Sequence, residues 1–280
     1  MTFFGQLFGS GGFSIIAILF TLLSLGNFVQ AVRLGANIRR RWADFTRNPL
    51  QRWHKQASES AAFLIMVPPG VLLHELAHAV FVWVYGGQVV DVGYGFYWGY
   101  VLPQGVFTAT EDWVISISGT FASMLYAVFF WAIMRRHSAE AVRYLALRGL
   151  RFHFQYALIY YPIFTAVTFI GDWRVIYNFN ETPLLSSVAL AMHAGTLGFF
   201  WWSDRRGWYT MSAFSSETDR QKFNALAQQI AQGTVDEKAQ LAYVRELLRQ
   251  GEPDAAIRAA KTLAQQLPQS ANAQQMLAGF

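Results

Sequence analysis

Long apolar runs, separated by short clusters of arginine, dominate the chain up to residue 206. They lie at about 13–32, 59–85, 113–134, 152–171 and 184–202. A helix rising ~1.5 Å per residue needs about 20 residues to cross the hydrocarbon of a bilayer, so five membrane spans are expected. Between the second and third runs, residues 86–110 (GGQVVDVGYGFYWGYVLPQGVFTAT) are rich in Gly, Tyr and Val with period-two stretches. That pattern predicts one or two β-strands with glycine turns, or an interfacial loop whose aromatics form a belt. A strand there offers an edge for pairing with an extended peptide. Beyond Arg206 the pattern becomes that of soluble helices: Thr234 and Glu237 are spaced as a capping box, and Gly233 and Gly251 stand where helices end.

The expected fold is therefore mainly α, a polytopic membrane helix bundle of about five spans. It carries a small membrane-associated β region and a soluble α-helical C-terminal module. Residues 1–58 make the first span and a basic loop, 59–206 the membrane core, and 207–280 the helical tail. Within the tail, residues 247–278 resemble a tetratricopeptide repeat, with Gly251, Ala255, Ala260 and Pro268 in register. About three such repeats are needed for a stable solenoid, so a single unit must pack on its preceding helices, a second copy or a partner protein.

Composition agrees with the membrane expectation: 54% of residues are hydrophobic and 14% charged, against about 25% charged in soluble domains. There is no cysteine, which excludes disulfides and thiolate ligands. The formal net charge of +5 does not point to nucleic acid, because the arginines cluster beside apolar runs, where they act as topology determinants. One cluster holds Arg33, Arg39, Arg40, Arg41, Arg47, Arg52 and Lys55, and another Arg135, Arg136, Arg143, Arg148 and Arg151. If both loops are cytoplasmic, the N-terminus lies outside and the tail in the cytoplasm. The uncharged start MTFFGQLFGSGG lacks the basic region of a cleaved signal peptide.

Candidate chemistry sits in VPPGVLLHELAHAVFVWVYGG, residues 67–87. His74, Glu75 and His78 form H-E-x-x-H, and residues four apart share one helix face, so both imidazoles can reach one metal ion. Glu75 beside them is a general base for water activated by the metal. Pro68 and Pro69 predict a helix break, with the motif helix starting at Pro69 or Gly70. Ionisable groups inside a membrane segment cost about 2.5–3.5 kcal/mol each, so three polar groups in five residues call for a partner, which zinc supplies. Two histidines leave a catalytic zinc one protein ligand short, and without cysteine a carboxylate is expected. Asp172, at the end of the fourth run, lies at a depth similar to His74 when both are counted from the basic loops. A plain helix cap for DWRVIY is its alternative role. His193, Glu111 and Asp112 are rival ligands, and His193 is also a candidate oxyanion donor. The small-residue patch SGTFAS, 118–123, is assigned to ordinary helix packing.

Over about residues 60–180 the chain resembles site-2-protease-type intramembrane zinc metallopeptidases. The resemblance rests on His74, Glu75 and His78, on the glycine-rich β region after them, and on SGTFAS. The family's Asn-x-x-Pro stretch leading to Asp-Gly has its nearest counterpart in YYPIFTAVTFIGDW, which offers Tyr instead of Asn before Pro162, a longer gap, and Gly before Asp172 instead of after it. The resemblance implies Zn2+ held by His74, His78 and Asp172, Glu75 as catalytic base, and hydrolysis of a membrane-protein substrate within the lipid bilayer. It implies a bacterial cytoplasmic membrane and a motif helix entering from the side opposite to that indicated by the arginines. A membrane-anchored interaction protein with a structural metal, and a zinc hydrolase of a non-peptide substrate such as lipid, are the competing classes.

Overall fold

The computed structural model describes residues 11–168, 171–232, 236–250 and 252–279. The chain opens with helix α1, Gly11–Arg40, which covers the first apolar run and ends in Arg39 and Arg40, cations that suit the negative end of the helix dipole. A short α2, Trp42–Phe45, and a loop lead to α3, Arg52–Leu64. Helix α4, Val67–Val84, carries the H-E-x-x-H motif. It starts at Val67, slightly earlier than the prolines suggest. Pro68 and Pro69 occupy its first positions, where no intrahelical N–H is needed and proline's fixed φ is already helical.

Strands β1, Gln88–Tyr94, and β2, Gly99–Gln104, form an antiparallel hairpin in which Tyr94 faces Gly99 and Gln88 faces Gln104, with an irregularity between Val89 and Asp91. Gly86, at φ 77°, adopts the left-handed turn that leads out of α4 into β1. Helix α5, Ala109–Met134, starts with a full capping box, in which Thr108 Oγ1 accepts from Glu111 N and Glu111 Oε2 accepts from Thr108 N at 2.7 Å.

The fourth apolar run is helical with a π-helical turn inside it. It is divided among α6, Glu140–Gln155, a π-helical turn at Tyr156–Tyr160, and α7, Tyr161–Thr168. Pro162 causes the turn, having no N–H to give to the carbonyl of Leu158 four residues back. The short α8, Trp173–Ile176, and α9, Pro183–Arg205, complete the apolar part. Among the described residues, three helical stretches are long and apolar enough to cross a membrane: Arg52–Val84, Ala109–Met134 and Pro183–Arg205. On α5 the distribution of side chains is inverted relative to a water-soluble helix. Ser116, Ser118, Gly119, Thr120 and Ser123 are buried, while Leu125 and Phe129 are 63% and 67% exposed. An apolar surface of this kind is suited to lipid.

The tail consists of α10, Glu217–Ala231, α11, Glu237–Arg249, α12, Pro253–Gln266, and α13, Ala271–Ala278. Its core joins Val244, Leu247, Ala256 and Ala260, with a second cluster around Leu241, Leu263 and Ala273. Thr234, Gly233 and Gly251 lie outside the described residues. Asp236 caps α11, and Glu237 accepts instead from Ser270 at 2.6 Å, tying α11 to α13. The tail is fastened to the basic loops. Lys55 pairs with Glu252 at 2.7 Å, with both side chains largely buried, and Arg220 pairs with Glu140 at 2.7 Å. Glu140 also accepts from Leu50 N at 2.7 Å, beside a cluster of Phe45, Leu50, Ala139 and Tyr144.

Candidate metal centre

The HELAH segment stays helical, and helical spacing alone brings His74 and His78 together, ring centroids 4.6 Å apart and nearly perpendicular. Helix α5 packs on this face because it has no side chain at Gly119. A Cβ there would stand 2.5 Å from His78 Nε2 and 2.7 Å from His74 Cδ2, so only glycine leaves the imidazoles their room. The patch at 118–123 is therefore more than packing, since it shapes the site. Replacing Gly119 by alanine is expected to push both rings aside and to weaken binding of any metal the two histidines hold by about 10–100-fold, the range for loss of supporting interactions around a metal. Competition with a chelator measures this, and wild-type affinity in the variant would refute the role.

From α5 also comes the group that orients His78. The carbonyl of Ile115 accepts from His78 Nδ1 at 2.6 Å, which places the proton on Nδ1 and leaves the Nε2 lone pair facing the site. Asp172 arrives from the turn before α8. Its Oδ2 lies 2.9 Å from His74 Nε2 and 3.2 Å from His78 Nε2. The same oxygen accepts from the Tyr161 hydroxyl at 2.9 Å, and that hydroxyl also accepts from Asp172 N at 3.2 Å. Although Asp172 stands at the start of α8, its side chain makes no capping hydrogen bond there. Gly171, at φ 123°, makes the turn that aims it at the histidines, beside Tyr161 and Thr165.

His74, His78 and Asp172 each offer one ligand atom, and these lie within 4.8 Å of one another. Two imidazole nitrogens and a carboxylate oxygen are a donor set suited to zinc, with a coordination position left for water or substrate. Glu75 is 7% exposed and shares with the three ligands the lining of a cavity of about 1410 Å³. Residues 98–104, mostly of β2, form another wall of that cavity. Gly99 lets the strand lie against the base, since a Cβ at that position would be 2.5 Å from Glu75 Cγ.

Of the rival ligands, Glu111 is engaged in the cap of α5, and Asp112 borders the cavity without joining the ligand group. His193 serves another purpose. Its Nε2–H donates to Leu158 O at 2.6 Å, the carbonyl for which Pro162 has no N–H, while Tyr177 donates to its Nδ1. The imidazole thus satisfies the helix break that sets the position of Tyr161, and it connects α9 to the site. Pro162 is the sequence signal from which this need is visible. Comparison with known protein families, with curated proteins and with solved structures returns no match.

Proposed function

We propose that this chain is a zinc-dependent intramembrane endopeptidase acting on membrane-protein segments. The observation that carries this reading is the convergence of His74, His78 and Asp172 with the buried carboxylate of Glu75 in one cavity bordered by a strand. His74, His78 and Asp172 would hold a zinc ion, which when bound would supply Lewis acidity toward water and the substrate carbonyl. Glu75 takes the proton of the attacking water and passes it to the leaving amine. The Ile115 carbonyl holds His78 in the required tautomer.

The strand is what favours a peptide over a lipid. Among the described residues the sheet has two strands only, so β2 is an edge strand, and residues 98–104 line the cavity. An extended peptide can add to such an edge by main-chain hydrogen bonds that do not depend on its side chains. A helical substrate must unwind to do so, which suits a segment of low helix propensity. The decisive comparison is of membrane proteomes from cells carrying wild-type or Glu75→Gln protein. A fragment ending inside a membrane span is expected with the wild type alone, and identical peptide sets would overturn the reading.

The proposal includes five spans, with both basic loops and the tail in the cytoplasm of a bacterial cell. The arginine clusters at 33–52 and 135–151 support this orientation. The tail would recruit or gate the substrate, or join a second copy, and its ion pairs with Lys55 and Glu140 support a mechanical link to the core. A reporter fused after Phe280 is expected to be active only in the cytoplasm, and activity only outside would reverse the topology.

A further inference from the structure

Hydrolysis of an amide puts negative charge on the carbonyl oxygen, and peptidases meet it with a preorganised hydrogen-bond donor in addition to the metal. Several of the donors around this cavity are already occupied. Both nitrogens of His193 are engaged with Tyr177 and Leu158, at the helix break. His153 donates from Nδ1 to Gly149 O at 2.9 Å, and its Nε2 abuts Gly70, where a Cβ would lie 2.5 Å away. The Tyr161 hydroxyl is committed to Asp172.

Tyr156 is differently placed. On a regular α-helix, residues five apart diverge by about 140° around the axis. The π-helical turn at Tyr156–Tyr160 removes most of that divergence. Tyr156 and Tyr161 accordingly stack with ring centroids 6.3 Å apart and planes inclined by 4°. Tyr156 thus shares the face that Tyr161 presents to Asp172. It lines the same cavity as His74, Glu75, His78 and Asp172. Among the described residues no hydrogen bond involves that hydroxyl. Single π-turns inside helices are frequent at functional sites because they rotate a side chain out of its α-helical position.

We propose that the Tyr156 hydroxyl donates a hydrogen bond to the scissile carbonyl oxygen as that oxygen gains charge, which makes Tyr156 a catalytic residue. The inference rests on the peptidase reading. No covalent bond to Tyr156 forms or breaks, and the hydroxyl keeps its proton throughout. Tyr161, by contrast, is a positioning residue that holds Asp172.

The test uses the full-length, zinc-loaded protein as wild type, Tyr156→Phe and Glu75→Gln, with two probes. One is N-phosphoryl-Leu-Trp, whose tetrahedral phosphoryl oxygens imitate the reacting carbon, and the other is acetohydroxamate, which binds zinc in a planar arrangement. Tyr156→Phe is expected to keep one zinc per chain and its hydroxamate affinity, and to bind the phosphoryl probe about 10–100-fold more weakly, as for a lost hydrogen bond to a charged group. On a membrane substrate its kcat is expected to fall by about 10²–10³-fold with KM unchanged. Unaltered phosphoryl-probe affinity, no binding of that probe by the wild type, or loss of zinc from Tyr156→Phe would overturn the inference. Equal cleavage by wild type and Glu75→Gln would instead defeat the peptidase reading, whatever the binding arms show.

Discussion

Asp172→Ala is expected to strip the protein of zinc. Its Oδ2 is the single oxygen within hydrogen-bonding distance of both His74 Nε2 and His78 Nε2, and no other carboxylate joins them among the described residues. Removing it leaves two ligands, one short of the usual catalytic set. Loss of outer supporting groups alone costs about 10–100-fold in metal affinity, so loss of a ligand is expected to exceed the upper end of that range. The variant also removes the carboxylate oxygen that accepts from the Tyr161 hydroxyl. Zinc per chain, measured after dialysis against a weak chelator, reads the effect directly. His193→Ala and Glu111→Ala are the matched controls and are expected to keep zinc, because one supports a helix break and the other a helix cap. Full occupancy in Asp172→Ala, with loss in either control, would remove Asp172 from the site.

Glu75→Gln separates chemistry from metal binding. The amide has nearly the shape of the carboxylate and is not one of the three grouped ligands, so zinc content should stay at the wild-type level. General acid–base participation is worth about 10²–10⁴-fold, and cleavage should fall by that factor. A structural metal site predicts no such fall, since nothing in the fold depends on a proton carried by Glu75. Rates from wild-type and variant protein at equal zinc occupancy therefore discriminate the peptidase from a membrane-anchored interaction protein. Loss of zinc together with activity would instead show Glu75 to be a ligand.

Much of the site was legible because it is local. The i, i+4 spacing of His74 and His78, the base beside the first, and the shift to period-two residues after Gly87 are short-range patterns set by helix and strand periodicity. The apolar lengths of α4, α5 and α9 were equally plain, since hydropathy depends on composition within a window. Asp172 was one of several candidates, favoured by the lack of cysteine and by the depth at which the fourth run ends.

Other features depend on contacts between segments far apart in the chain. Nothing within 118–123 distinguishes Gly119 from the other small residues. It matters because α5 crosses α4 at the histidines, where any side chain would collide with them. Gly99 looks like an ordinary hairpin glycine until the strand lies on Glu75. Within the fourth run Pro162 interrupts the hydrogen-bond ladder of the helix, and His193, distant in sequence, donates the hydrogen bond that the proline cannot. The sequence by itself determined which residues can bind a metal and which segments can lie in lipid, because periodicity and hydropathy are properties of neighbours. The tertiary structure decided which carboxylate lies beside the two histidines, which glycines make room for them and which tyrosines line the cavity, because close approach between distant segments leaves no local pattern in the chain.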